Sequence, residues 1–314
     1  MRFYMLMGLP GAGKSWYADA LARDIEVQGG DPVIHASDAI REELFHDASS
    51  QHDNDLVFQE LHARVKRDLK EGKDVIYDAT NLSYKRRKAF LESLNALHLD
   101  DLKTTCILVY KPYDQCLEVN ASRNRIVPEP VIASMRKRFD PPMQSEGWDR
   151  IDVVYNWNQR PYSRDYLFSR LDGFQQDNPN HSLTVGEHIK VAVRLYVNDV
   201  TVKEFDDCIL WALYFHDIGK ESTKTFFDAK GNVSEYAHYY NHENVGAYDS
   251  FSYMVNYPIA TQLRISRLIR WHMYPFTILR SQNPPKTRQK LKNLLGEEDY
   301  NAVMTMFKYD RAAH

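Results

Sequence analysis

The stretch Phe3-Tyr4-Met5-Leu6-Met7-Gly8-Leu9-Pro10-Gly11-Ala12-Gly13-Lys14-Ser15 decides how the first half of the chain is read. An apolar run of strand length ends in the pattern G-x-x-x-x-G-K-S/T, and a helical stretch follows at once, which is the context the pattern requires. Gly8, Gly11, Ala12 and Gly13 carry little or no side chain, so backbone N–H groups can wrap a chain of phosphates while the helix start adds a favourable dipole. Lys14 reaches the β- and γ-phosphates, and Ser15 ligates magnesium. Binding of ATP or another nucleoside triphosphate, with Mg2+, follows.

Outward from this loop, short apolar runs at Arg2–Met7, Pro32–Ser37, Asp74–Asp78 and Lys103–Tyr110 alternate with amphipathic stretches. That alternation predicts an α/β domain, a parallel sheet with flanking helices. Such sheets bind ligands at the carboxyl ends of their strands. Asp38 and Arg41, just past the second run, are therefore candidate acceptor-side residues. A carboxylate there can take the proton of an attacking hydroxyl, and a guanidinium one turn later can clamp a phosphate. Equally, Asp38 can cap the helix and Arg41 can lie on the surface. Asp78-Ala79-Thr80-Asn81 brings short polar side chains to the same edge, to orient other groups or to cap the next helix. Arg123 and Arg125 precede a proline-bearing helix start near Pro128, where arginines can stabilise a phosphoryl group in transit. If that transfer is loose and dissociative, Lys14 and Arg123 should outrank Asp38 in effect. The run Lys85-Arg86-Arg87-Lys88 reads as a solvated helix face.

A length of 314 residues suits two domains. A formal net charge of -3 argues against nonspecific coating of nucleic acid but leaves room for a local basic groove. Cys106, Cys116 and Cys208 lie far apart with no Cys-x-x-Cys pair, which fits a reducing compartment. No leader or bilayer-spanning stretch is evident, so a cytoplasmic protein without a membrane partner is expected. Composition shifts near 153–165, which predicts domains over 1–152 and 166–314 joined by that linker. Beyond it, apolar positions three or four apart predict an all-α domain with helices over 185–197, 204–215, 242–255, 260–271, 288–295 and 299–309, and no strong strand run.

The loop at Gly8–Ser15, the Asp38 and Arg41 pair, the segment Asp78–Leu82 and the arginines before Val127 resemble the kinase module of polynucleotide 5'-hydroxyl kinases. The resemblance runs from Met1 to about Ile151. It implies Lys14 and Ser15 at the ATP phosphates, Asp38 as general base toward a 5'-OH, Arg41 on the neighbouring substrate phosphate and Arg123 as the lid arginine, with Arg125 the other candidate. It also gives Asp78 the task of orienting that arginine.

In the second half, His216-Asp217-Ile218-Gly219-Lys220 ends an apolar helix with an adjacent imidazole and carboxylate, a pairing suited to a divalent metal. Thr184-Val185-Gly186-Glu187 reads as a capping box that places His188 in the first turns of a helix, with His181 just before it. His238, His242, His272 and Asp310 follow. One histidine alone is more often a packed or surface residue than a ligand, but the ensemble points to metal chemistry. His188, His216-Asp217 and Asp310 resemble the metal signature of the HD phosphohydrolase superfamily, and the surrounding segments are similar to the HD domain attached to some bacterial tRNA nucleotidyltransferases. That resemblance implies one or two divalent ions, His242 and His272 as second-metal or phosphate ligands, and Lys220 as a phosphate contact. The mixed nitrogen and oxygen donors favour Mn2+, Ni2+, Co2+ or Fe2+ over calcium.

Three functions compete. The first is a nucleic-acid end-healing enzyme that phosphorylates 5'-OH ends of RNA or DNA and removes 3'-phosphate or 2',3'-cyclic phosphate, preparing ends for a separate ligase. The second is a kinase and phosphohydrolase for a small nucleoside or nucleotide, and the third a nucleotide-sensing regulatory protein. Arg41, Arg123 and Arg136-Lys137-Arg138 lean toward a polyanion.

Overall fold

Phe3, Met5, Leu6 and Met7 are almost wholly removed from solvent, because the strand that carries them is covered on both faces. In the computed structural model, which describes residues 1–48, 50, 52–123, 125–157, 161–179 and 181–313, this strand is β1 (Arg2–Met7). It leads into α1 (Lys14–Val27), β2 (Pro32–Ala36), α2 (Ser37–Phe45), α3 (Asn54–Lys70), β3 (Asp74–Asp78), α4 (Tyr84–Asn95), β4 (Lys103–Tyr110), α5 (Tyr113–Ala121), α6 (Glu129–Arg136) and β5 (Arg150–Tyr155). The strands form a five-stranded parallel sheet in the order β2-β3-β1-β4-β5. Leu6 pairs with Asp78 and Ala36 with Asp78, so the ends of β1, β2 and β3 lie level at one sheet edge. The glycine-rich loop, Asp38 and Asn81 all emerge there.

β5 runs into the stretch whose polar composition marks it as linker, with residues 153–155 inside it; residues 158–160 of that expected linker fall outside the described residues. Its pairing with β4 places Val153 beside Leu108, and Val153 is the buried residue of an otherwise half-covered edge strand. Arg87 departs from its expected solvated setting. It shares the inner stripe of α4 with Phe90, Leu91 and Leu94, and its guanidinium meets Glu146 at 2.6 and 2.9 Å. Met143 N–H and Trp148 Nε1 also donate to Glu146, so the buried carboxylate is fully engaged.

The chain divides into two compact units, Met1–Met135 with Pro142–Asn158, and Arg136–Pro141 with Gln159–His314. The second unit contains α7 (Arg164–Leu171), α8 (Val185–Val197), α9 (Asp207–Phe215), α10 (Lys220–Thr223), β6 (Lys224–Phe227), β7 (Val233–Tyr239), α11 (His242–Asp249), α12 (Ile259–Trp271), α13 (Tyr274–Arg280) and α14 (Pro284–Ala312). It is mostly helical rather than all-α, since β6 and β7 pair antiparallel in a hairpin. The hairpin escapes a search for apolar strand runs because Lys, Thr, Ser, Glu and His stand between its aromatics, and only Ala237 is fully buried. The two helices expected at 288–295 and 299–309 are the halves of α14, separated by Gly296 at φ 79°, ψ 169°, a backbone no helix contains. Among the described residues no helix is long and apolar enough to cross a membrane.

Candidate functional site

At the sheet edge of the first unit, Gly11 and Gly13 have φ of 84° and 92°, and a Cβ on either would collide with its neighbour, the carbonyl of Cys116 or the amide of Asn156. Only glycine fits these turns. Asn156 Nδ2 donates 3.0 Å to the carbonyl of Ala12 and so braces the loop from the end of β5. Lys14 Nζ donates 3.0 Å to the carbonyl of Leu9. Burial of this ammonium lowers its pKa, opposed by the charges of Asp78 and Asp38, while Arg123 stands close enough to depress it further. A polyphosphate in the loop would relieve that loss of solvation.

Ser15 Oγ donates 2.6 Å to Asp78 Oδ2, so serine and carboxylate stand together where a phosphate-bound magnesium needs oxygen donors. Asp78 is thus engaged with Ser15. Asp38, half exposed at the first turn of α2, has Arg41 Nη1 at 3.0 Å and Arg125 Nη1 at 2.6 Å. Arg41 is buried and further fixed by Nη2 donating 2.8 Å to Asn54 Oδ1. Its Nε has no hydrogen-bond partner among the described residues, a buried donor that an anionic acceptor would satisfy. Asn120 holds the arginine-bearing segment by exchanging bonds of 2.8 and 3.0 Å with the backbone of Val127.

In the second unit the structure brings His188, His216 and Asp310 into one ligand-sized cluster and Asp217, His242 and His272 into another. The Thr184–Glu187 capping box starts α8 and sets His188 on its inner face. His216 closes α9, His242 opens α11, His272 closes α12 and Asp310 lies in the last turns of α14. Each Nδ1 lies 2.6–2.8 Å from a main-chain carbonyl, those of Ala313, Leu213, Tyr239 and Ile269 respectively. A proton on Nδ1 turns the bare Nε2 inward. His188 and His216 then oppose Nε2 lone pairs at 3.2 Å, and His242 and His272 at 3.3 Å. Facing lone pairs repel unless a cation lies between them. Donors bound to one transition ion at about 2.1 Å are themselves roughly 3.0–3.4 Å apart, so the spacing fits metal.

Asp217 joins the clusters. Its Oδ2 lies 3.3 Å from His216 and 3.5 Å from His188, while Oδ1 lies 3.3 Å from His242. Oδ2 is buried, with Lys220 Nζ at 2.7 Å but no aligned hydrogen bond among the described residues. The electrostatics are those of a cation site. Burial opposes charge on His216, but Asp217 and Asp310 outweigh it and push its pKa up to about 10. Burial, with His216 and His242, brings His272 down to about 3. Lys220 Nζ stands 2.7 Å from Asp217 Oδ2 and donates 2.8 Å to Gln176 Oε1, above the ring of Tyr239 at 5.5 Å. Gln176 and Tyr239 escape sequence reasoning, since neither belongs to a spaced motif and both act through tertiary contact. His238 lies apart, bonded to Ser234 and stacked on Tyr240. Arg136 is also not free for a polyanion, being buried with Asp249 at 3.2 Å and Ser222.

Residues 3–142 match the family described as an AAA domain, and residues 180–311 match the HD domain family. The chain therefore carries a kinase-type P-loop domain in its N-terminal half and an HD domain in its C-terminal half. Such a P-loop domain implies a nucleotide with Mg2+, and an HD domain implies divalent metal. L-seryl-tRNA(Sec) kinase of Methanococcus maripaludis is 25% identical over 156 residues, 50% of this chain. The match spans only 59% of that relative's length. Among solved structures, a gluconokinase from Sinorhizobium meliloti 1021 is 16% identical over 50% of this chain and 83% of its own, with a TM-score of 0.34. The Pnkp1/Rnl/Hen1 complex is 24% identical over 40% of each chain, with a TM-score of 0.30. Both scores are too low for these superpositions to bear on function.

Proposed function

We propose that the protein heals nucleic-acid ends, phosphorylating 5'-OH termini of RNA or DNA with ATP and hydrolysing 3'-phosphate or 2',3'-cyclic phosphate termini at the HD centre. The observation that carries this reading is the contact of Asp38 with the fixed, buried guanidinium of Arg41. A base alone would serve any alcohol; a base beside a guanidinium with an unsatisfied Nε suits a hydroxyl whose neighbour is a phosphate. The relative named for a tRNA-borne acceptor supports an RNA-linked hydroxyl here.

In the kinase step the acceptor oxygen bonds to the γ-phosphorus, the bond from that phosphorus to the β-γ bridging oxygen breaks, ADP leaves, and the hydroxyl proton passes to Asp38. Lys14 and Arg123 hold the charge that spreads over the transferring group. At the HD centre the ligands fit two divalent ions, which supply Lewis acidity and acidify water when bound. Lys220 would neutralise the phosphate, and Asp217, Asp310 and the four imidazoles would hold the ions.

The inward pairing of Arg136 favours the second reading, a small nucleoside or nucleotide substrate, by removing one cation from any polyanion track. One experiment separates them: transfer of labelled γ-phosphate to a 5'-OH oligonucleotide bearing a 3'-phosphate, with nucleosides as competitors and manganese present. Gain of 5' label with loss of 3'-phosphate is the expected result, and label on nucleosides alone moves the assignment to the small-molecule enzyme.

A further inference from the structure

The β6–β7 hairpin is rooted in the HD centre and coated with aromatic rings. At its root Tyr239 pairs in register with Lys224, its hydroxyl donates to the carbonyl of Gln176, and its own carbonyl holds ligand His242. Its ring lies beneath Lys220 Nζ. Away from the root, Phe226 is 43% exposed, Phe227 52% and Tyr236 45%. Strands rise about 3.3 Å per residue, so these rings begin roughly 7–10 Å from Tyr239 along the ribbon. Two strands leave rings of this size in water without a core behind them, a burden that a folded domain sheds unless the surface is used.

Resting on the end-healing reading, we propose that this hairpin is the stacking platform for the last unpaired bases of the strand whose 3'-phosphate enters the HD centre. The chemistry suits nucleic acid better than a second copy of the chain. The exposed large residues are mainly flat rings, and stacking on rings tolerates any base. Lys224 holds its ammonium 4.8 Å from the Phe174 ring and 5.9 Å from that of Phe226, where it is also paired with Asp177 and the carbonyl of Gln175, so a cation stands at the edge of the rings within an ion pair that a phosphodiester oxygen can join. Asp228, the acid of the turn, is tied to the backbone N–H groups of Lys230 and Asn232 at 2.8 Å each. A phosphate held at Lys220 brings its own nucleotide to Tyr239 and the preceding ones to the rings beyond.

The test compares kcat/KM for a 3'-phosphorylated octanucleotide with that for a nucleoside 3'-monophosphate, using the full chain with manganese. In the triple variant Phe226→Leu, Phe227→Leu, Tyr236→Leu, which keeps apolar bulk but removes every π face, the ratio of octanucleotide to mononucleotide efficiency falls tenfold or more. The triple variant Phe226→Tyr, Phe227→Tyr, Tyr236→Phe keeps the ratio within twofold of wild type. An unchanged ratio in the leucine variant overturns the platform while leaving end-healing intact. Concentration-dependent self-association lost in the leucine variant would also overturn it, by assigning the rings to a copy interface. A wild type that hydrolyses the mononucleotide but not the octanucleotide ends the end-healing reading itself, and the platform with it.

Discussion

Arg125 Nη1 stands 2.6 Å from Oδ2 of Asp38, on a carboxylate whose Oδ1 already meets Arg41. The proposed base is thus held by an arginine of the segment before α6, while Arg123 is the arginine whose charge reaches Lys14. If transfer is loose, positive charge at the phosphates matters more than the base. Arg123→Ala should therefore lower the kinase kcat by about 10³-fold or more, and Asp38→Asn by about 10²-fold. Arg125→Ala should cost less than about tenfold, because its contact is with Asp38 and not the phosphates. Steady-state kinetics on the three variants check the order, and a larger loss for Arg125→Ala than for Arg123→Ala reverses the two assignments.

Lys14 and Asp217 belong to separate ligand sets in separate units. Lys14→Ala should abolish phosphoryl transfer and leave phosphohydrolysis near wild type, and Asp217→Ala should do the opposite. Parallel assays of both reactions on each variant are decisive, since loss of both activities from either change would refute two independent sites.

The phosphate loop and much of the HD cluster were legible in sequence because each has a local signature. Glycines followed by Lys14 and Ser15 form one contiguous stretch, and His216-Asp217 is an adjacent pair. The rest was hidden for physical reasons. Gln176 meets Lys220 across 44 positions of chain, and no periodicity marks such a contact. Arg87 lies in a run of four cations whose composition says solvent, yet its place three and four residues before Phe90 and Leu91 turns it inward to Glu146. Asn156 braces the loop from just past the edge strand β5, in a stretch whose polar composition reads as linker. Composition reports averages, whereas these side chains are positioned individually by distant partners.

The paired Nε2 atoms predict two metal equivalents per chain. Metal analysis after reconstitution with manganese should find close to two, and the double variant His242→Ala, His272→Ala should retain the equivalent held by His188, His216 and Asp310. Chelation should remove phosphohydrolysis, and metal present at 100 times its Kd should raise stability by about 2.7 kcal/mol for each site filled, through binding the folded state alone. Melting curves with and without manganese read that shift, and one equivalent in the wild type would leave Asp217 without a bridging role.

Gln176 Oε1 is aimed by its own amide, because Nε2 donates 3.0 Å to the carbonyl of Leu183. It therefore acts as a positioning residue that holds Lys220 beside Asp217. Gln176→Leu should raise KM for the phosphate ester about tenfold with a smaller change in kcat and unchanged metal content. Combined with Lys220→Met, the losses should be strongly non-additive, the signature of one residue acting through the other. Additive losses would leave Gln176 a packing residue only.

His62 stacks on Phe90 with ring centroids 4.1 Å apart and meets the Tyr77 hydroxyl at 3.2 Å. Burial, with a smaller effect from Lys66, pushes its pKa down from 6.5 to about 4. Between those values the unfolded chain binds a proton that the folded imidazole refuses, so stability increases with pH across the window and is lost as pH falls from about 6.5 to about 4. Asp68 acts lower down: burial opposes its charge, but bonds from Arg67, His35 and Lys73 bring its pKa to about 2, so its contribution is lost only as pH falls below the ordinary carboxylate range. Urea denaturation of wild type and His62→Phe at half-unit steps from pH 7 to pH 4 separates the two groups. The phenylalanine variant, which keeps the stack without a titrating nitrogen, should show a flatter profile through the upper window; an equal slope in both proteins would assign the loss to other groups.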